Sequence, residues 1–256
     1  MILAIDVGNT NIVIGCCDSG EILFSERIST DHSATDLQYA AIIKTAFGLH
    51  SIDPYRLTGA AISSVVPSVT KAVKKAAERF CGTKPMVVGP GIKTGLHIII
   101  DNPAQLGSDL VVDAVAGITE YPLPLIIVDM GTATTLSVIS CKGEYMGGMI
   151  VPGVKVSHDS LVSRTSQLPK IALEPPRRVI GRNTVECLKS GILYGSAGAI
   201  DGLIDRINEE MGQPCTAVAT GGLAGIITPL CRNKVILDED LMLKGLMLIY
   251  EKNKPE

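Results

Sequence analysis

The sequence predicts an α/β protein made of two similar halves facing each other across a central cleft. Three observations carry that expectation. The segment Leu3-Ala4-Ile5-Asp6-Val7-Gly8-Asn9-Thr10-Asn11 has a counterpart 123 positions later, Ile126-Ile127-Val128-Asp129-Met130-Gly131-Thr132-Ala133-Thr134, and similarity at a fixed offset marks a repeated structural unit. Each copy is an apolar run that breaks at Asp-x-Gly. The stretches between the copies alternate helical and strand patterns, which favours α/β over all-β.

Taken in order, each copy reads as a strand, a tight turn, a returning strand and a third strand. At the same offset Ile12-Val13-Ile14 is set against Thr135-Leu136-Ser137, and Ser19-Gly20-Glu21 against Lys142-Gly143-Glu144. Turns at Gly20 and Gly143 then open third strands over 22–28 and 145–151. Between the copies, 36–47 carries helical spacing, 60–65 is a short strand, and 68–80 is an amphipathic helix with Lys71, Lys74 and Lys75 outside. Residues 86–88 form a strand and 108–119 a helix with Ser108 as its N-cap. Pro122 and Pro124 break the chain, and the division is placed near Glu120, giving halves 1–120 and 121–256. In the second half 184–211 is helical despite Gly191, Gly195, Gly198 and Gly202, whose spacing predicts close packing of helices. Strands at 217–219 and 235–237 and a helix over 240–250 complete the pattern.

Composition narrows the function. Charged residues make up 19% and apolar residues 46%; the first figure lies below the roughly 25% usual in soluble proteins, so much of the surface is expected to be uncharged or covered by a partner. A net charge of −3 without a Lys/Arg cluster gives no electrostatic footprint for nucleic acid. No apolar run reaches the ~18 residues of a membrane span, and Met1 to Val7 lacks the basic flank of a secretory signal. The seven cysteines form no CxxC pair and read as reduced, buried small hydrophobes, consistent with the cytoplasm.

Neither half contains GxxxxGK[ST], and no GxGxxG opens a helix after a strand, which removes the main support for P-loop and dinucleotide readings. Asp6-Val7-Gly8-Asn9-Thr10-Asn11 offers another phosphate grip. Gly8 permits positive φ and close backbone approach, Asn9, Thr10 and Asn11 add donors, and the Asp6 carboxylate suits a hydrated Mg²⁺. One such turn alone is as readily an ordinary hairpin. Two of them can clamp the phosphates of a single nucleotide, with Thr220-Gly221-Gly222 as a surface for the adenosine.

This combination resembles the acetate kinase, sugar kinase, Hsp70 and actin superfamily, with its duplicated ribonuclease H-like (actin-like ATPase) fold, and within it the type III pantothenate kinase family. The closer resemblance spans nearly the whole chain. It rests on Asp6 to Asn11, Ser64-Val65-Val66-Pro67, Asp101-Asn102-Pro103 with Gly107-Ser108-Asp109, Asp129 to Thr135, Pro152-Gly153, Gly181-Arg182-Asn183-Thr184, Thr220-Gly221-Gly222 and Asp240 to Leu246. The resemblance implies ATP-dependent phosphorylation of pantothenate to 4′-phosphopantothenate, the first step of coenzyme A biosynthesis, by a homodimer using Mg²⁺ and a monovalent cation, K⁺ or NH₄⁺. It implies ATP contacts at Asp6, Val7, Gly8, Asn9, Thr10, Asn11, Ile12, Val13, Thr132, Gly221 and Gly222, and acceptor contacts at Ile100, Gly107, Ser108, Asp109, Leu110 and Thr184. Asp109 matches the catalytic base, Asp129 the monovalent-cation ligand, and Asp6 a Mg²⁺ site reached through water.

Each of these residues also has a plainer role open to it. Asp109 suits the first turn of a helix by charge alone, Asp129 can satisfy turn amides, and Thr184 neighbours a helix cap. Two positions depart from the family pattern: its Gly-x-Asp-Arg is Gly107-Ser108-Asp109-Leu110 here, and its tyrosine before Asp-Asn-Pro is Ile100. Losing one charge-assisted hydrogen bond costs about 1.5 to 3 kcal/mol, too little to abolish activity by itself. Three readings therefore stay open: a pantothenate kinase drawing on Arg164, Arg178 or Arg182 instead, a kinase for another hydroxyl compound, and a non-catalytic nucleotide-binding regulator. Retention of both turns and Asp109 favours an enzyme.

Overall fold

The computed structural model describes residues 1–254. In chain order its elements are β1 (Ile2–Val7), β2 (Asn11–Asp18), β3 (Glu21–Ser29), α1 (Asp36–Leu49), β4 (Gly59–Ser64), α2 (Pro67–Cys81), β5 (Met86–Val87), β6 (His97–Ile98) and α3 (Ser108–Glu120). There follow β7 (Leu125–Met130), β8 (Ala133–Ile139), β9 (Glu144–Pro152), α4 (Val154–Arg164), α5 (Thr184–Met211), β10 (Thr216–Thr220), the short α6 (Ala224–Ile227), β11 (Val235–Leu237) and α7 (Leu241–Asn253). The chain divides into two compact units: Met1–Leu96, Asp101–Thr119 and the segment from Asp240 form the first, and His97–Ile100 with Glu120–Glu239 form the second.

The first unit holds a five-stranded sheet in the order β3-β2-β1-β4-β5, with β1 antiparallel to β2 and parallel to β4. Both faces of β1 are covered, so its sequence reads as a nearly continuous apolar run. The period of two still sorts the side chains. Leu3, Ile5 and Val7 join Ile43 and Phe47 of α1 and Val69 and Val73 of α2, whereas Ile2 and Ala4 join Val112 of α3 and Leu243, Leu246 and Ile249 of α7. The helices on the first face begin on recognisable caps: Thr35 and Gln38 make a capping box for α1, and Pro67 opens α2, which stops at left-handed Gly82. On the second face Gly245 lets α7 meet α3, since a Cβ there would lie 2.2 Å from the Val112 carbonyl oxygen.

The second unit repeats the order as β11-β10-β7-β8-β9, with β6 added beyond β9. Ile126, Val128 and Met130 of β7 pack with Leu193, Ala197, Ile200 and Ile204 of α5. That 28-residue helix starts on an Asn183 cap and ends at left-handed Gly212. Its buried Asp201 accepts backbone N–H bonds from Arg232 and Asn233, tying the loop before β11 to the middle of the helix. Tyr121 Oη donates to Asp238 Oδ2 at 2.7 Å, which joins the segment entering this unit at Glu120 to the one leaving it at Glu239. No helix among the described residues is long and apolar enough to cross a membrane.

Several expectations need correction. The constant offset of 123 does not hold through the middle strands. Val7 pairs with Ile12, but Met130 pairs with Thr134, so β8 corresponds to β2 at an offset of 122. The second turn is thus one residue tighter, and an extra residue before Gly143 restores the original offset in β9, where Tyr145 matches Ile22. Ser108 is the first helical residue of α3, and its hydroxyl bonds to β4 instead of capping the helix. Among the described residues Gly191, Gly195 and Gly198 do not pack a second helix, because a Cβ at each meets nothing within 4 Å. All seven cysteines are free thiols, but only Cys16 and Cys17 are buried; Cys81, Cys215 and Cys231 are half-buried, and Cys141 and Cys187 are exposed. The helix α4 and the short strand β6 were not legible as elements.

Candidate active site

In the first unit the Asp-x-Gly turn sits at the carboxyl end of β1. Asp6 is half-buried, whereas Asn9 and Thr10 are exposed and Ile12 belongs to the core. Val13 packs at the edge of the opposite cluster. Gly8 does not use positive φ, which corrects the conformational expectation. Its missing Cβ matters through proximity, since that atom would stand 3.1 Å from the Asn11 carbonyl oxygen, the group that accepts the Gly8 N–H at 3.0 Å. Thr30, just past β3, completes the turn: its N–H reaches Thr10 O at 2.9 Å and its hydroxyl donates to Gly8 O at 2.6 Å. Sequence reasoning missed Thr30; the available signal was a hydroxyl residue one step beyond the strand whose Ser29 pairs with Asn11.

The parallel partner of β1 brings Asp109 to the same end of the sheet. Asp6 is in register with Ser63 and Val7 with Ser64, and Ser108 bonds to both serines. The neighbouring Asp109 carboxylate accepts from the Leu110 N–H at 2.8 Å. Burial raises its pKa, with that backbone bond opposing. Gly107 makes room for it, as a Cβ there would lie 2.3 Å from Asp109 Oδ1. The Asp6–Asn11 turn and the Ser108–Asp109 pair thus lie at the carboxyl ends of two adjacent parallel strands, where ligands bind open α/β sheets.

The second unit builds the equivalent place differently. Asp129 is again half-buried and in register with a hydroxyl residue, Thr220 of β10. Gly221 follows at φ +93°, and a Cβ on it would stand 2.5 Å from Asp129 Oδ1 and 2.7 Å from Met130 N. Gly153 presses on the turn itself, 2.3 Å from Thr132 O and 2.6 Å from Gly131 O by the same measure. Asp129, Thr132, Gly221 and Gly153 therefore form one packed group, with Gly131, Thr132 and Gly222 exposed. The Asp129 carboxylate and the Ala133 carbonyl oxygen both lie within 4 Å of where a Cβ on Gly131 would stand, and oxygen donors of these kinds suit hard cations.

The residues expected to contact the acceptor belong to different units. Gly107, Ser108, Asp109 and Leu110 belong to the first; Ile100, beside Gly147 of β9, and Thr184, exposed at the start of α5, belong to the second. Of the arginines considered as substitutes, Arg164 ends α4, while Arg178 and Arg182 line a cavity of about 490 Å³ with Arg177, Asn183 and Lys189 at the start of α5.

Two sheets of the same order, each with an Asp-x-Gly turn at its first strand, define the actin-like ATPase fold. Solved structures agree on the fold: the activator of the 2-hydroxyisocaproyl-CoA dehydratase from Clostridium difficile, with bound ADPNP, has a TM-score of 0.59 at 12% identity over 100% of this chain and 98% of that one. Component A of the Acidaminococcus fermentans (R)-2-hydroxyglutaryl-CoA dehydratase gives 0.56 at 14%, covering 98% of each chain. The model of the type III pantothenate kinase family matches residues 2–206. A type III pantothenate kinase from an Exiguobacterium species is 44% identical over 254 residues, covering 99% of this chain and 100% of the relative. One from an Anaeromyxobacter species is 42% identical with the same coverage. The chain belongs to the type III pantothenate kinase family.

Proposed function

We propose that the protein transfers the γ-phosphoryl group of ATP to the terminal hydroxyl of pantothenate, forming 4′-phosphopantothenate and ADP at the start of coenzyme A biosynthesis. The observation that carries this reading is the half-buried Asp109 carboxylate, next to Ser108, whose hydroxyl docks on Ser64 at the carboxyl end of β4, the parallel neighbour of the strand that ends in the Asp6–Asn11 turn. The acceptor oxygen attacks the γ-phosphorus, the bond from that phosphorus to the bridging β–γ oxygen breaks, and Asp109 accepts the hydroxyl proton. Asn9, Thr10 and Asn11 would donate to phosphate oxygens, and Thr132, Gly221 and Gly222 would contact the nucleotide. Asp6 would hold Mg²⁺ through water and Asp129 a K⁺ or NH₄⁺ ion; bound there, the cations offset phosphate charge. Gly107 and Leu110 of the first unit and Ile100 and Thr184 of the second are the residues we assign to acceptor recognition.

Leu110 and Ile100 favour one alternative, a kinase for a less anionic hydroxyl compound, because neither aliphatic side chain can meet a carboxylate. Purified protein incubated with labelled ATP, Mg²⁺, K⁺ and pantothenate decides between them. Labelled 4′-phosphopantothenate is expected. Nucleotide binding without transfer to pantothenate would move the weight to another acceptor.

A homodimer is the assembly we favour. Its support is the exposed small-residue face of α5, where Gly191, Gly195 and Ala199 border a groove of about 270 Å³ with Val151 and Leu203. Sedimentation measures this directly, and a monomer at micromolar concentration would contradict it.

A further inference from the structure

Ser108 stands inside the acceptor motif, yet its hydroxyl is turned to the sheet. Its oxygen accepts the Ser64 N–H at 3.2 Å, its proton reaches Ser64 O at 3.2 Å, and the Ser63 hydroxyl lies 3.2 Å away. With Ser108 donating to Ser64 O, Ser63 donates to the remaining lone pair, so one donor and two acceptor positions are all filled. The N–H bond is at the long end of its range and the two hydroxyl contacts are slightly longer than the usual ~3.0 Å, so the hold comes from the three acting together.

The backbone explains why this place needs a hydroxyl. Ile62 gives its carbonyl to Val88 just past β5. Alternation along β4 turns the Ser64 N–H and C=O to the same side two residues later, where β5 has ended. Ser108 supplies both missing partners in place of a strand. Ser64 is fixed independently, since its hydroxyl is within 2.7 Å of Thr70 Oγ1 and accepts the Val66 N–H. Ser63, fully buried, is in register with Asp6. A short path of bonded neighbours therefore runs from the strand bearing the phosphate turn, through Ser63 and Ser108, to Asp109.

We propose that Ser108, clasped by Ser63 and Ser64, is a positioning residue that fixes the Asp109 carboxylate relative to the Asp6–Asn11 turn. The inference rests on reading Asp109 as the base, but it assigns Ser108 to the protein framework instead of the acceptor. Without the clasp the first turn of α3 shifts against β4, and a misplacement of this kind lowers the rate of the chemical step more than it weakens nucleotide binding.

The test compares Ser108→Ala, Ser63→Ala, the double variant and Ser108→Thr with the unaltered protein, beside Asp109→Asn. For Ser108→Ala we expect kcat to fall about ten-fold with the KM for ATP changed less than about two-fold. Ser108→Thr, which keeps the hydroxyl, should recover most of the rate. The double variant should be no slower than the slower single one, because the two hydroxyls act as one unit. Hydrogen exchange followed by mass spectrometry should show faster exchange in the first turn of α3 in Ser108→Ala. Unchanged exchange there overturns the clasp whatever the turnover. Full kcat in Ser108→Ala beside an inert Asp109→Asn overturns the positioning role and spares the base. Normal turnover in Asp109→Asn removes the base, and the positioning role with it.

Discussion

The two Asp-x-Gly turns descend from one pattern and are held by opposite means. Their ladders correspond strand for strand: Asn11 pairs with Ser29 as Ala133 pairs with Pro152, and each middle strand bulges at the matching step, between Cys16 and Cys17 or Val138 and Ile139. One residue further, Thr30 and Gly153 occupy the same place. Thr30 closes the longer turn with two hydrogen bonds, whereas Gly153 lies directly on the backbone oxygens of the shorter one. Beside the turns, Ser63 and Thr220 are again equivalent, but Ser63 is followed by a docking point for α3, and Thr220 by Gly221. The first unit has thus acquired a carboxylate where the second has cleared space. A duplicated frame can keep its register while one copy places a carboxylate beside its turn and the other a glycine.

That contrast can be broken experimentally. The largest effect should come from Asp109→Asn, with turnover falling by about 10² to 10⁴ and ATP binding retained, read by single-turnover kinetics and calorimetry. The raised pKa of Asp109 adds two expectations. The acid limb of the rate profile should lie above the ordinary aspartate value. Because the native state holds this proton more tightly than the unfolded chain, ionisation lowers stability as pH rises through the interval between the two pKa values. Asp109→Asn should accordingly be more stable than the parent near neutral pH, and the gain should vanish in acid, as thermal melts at several pH values would reveal.

Next in size is Gly221→Ala, which combines positive φ with contacts on Asp129 and Met130; about 1 to 3 kcal/mol of stability should be lost in urea titrations. Gly153→Ala, with negative φ but two backbone oxygens in the way, should fall in the same range through sterics alone. Thr30→Val removes one side-chain hydrogen bond at the matching position and should cost only about 1 kcal/mol. Equal losses at Thr30 and Gly153 would contradict the distinction between bonded and packed turns.

The repeat, both turns and most helices were legible because they are local: an apolar run, an Asp-x-Gly break and a cap lie within a few residues of one another. The slip of β8 was not, since register is decided by pairing across strands, and an ungapped comparison conceals a lost residue that a later insertion restores. Ser108 looked like a cap because it precedes a helix; only the truncated β5 creates the orphan groups that claim its hydroxyl. The glycines of α5 looked like packing contacts, and spacing alone cannot say whether the facing surface is another helix or open space. Local patterning in Leu241–Asn253 likewise contains nothing that selects the sheet it covers.

That helix has a consequence for biosynthesis. Leu243, Leu246 and Ile249 of α7 cover Ile2, Ala4 and Ala61 on the inner strands of the first sheet, and Tyr250 anchors the helix to Thr58 O. A ribosome delivers β1 early and α7 only after residues 120–239 have emerged. The second unit can therefore complete its core while one face of the first stays open to solvent, to chaperones and to other nascent chains. For this molecule the order of synthesis and the order of completion run in opposite directions.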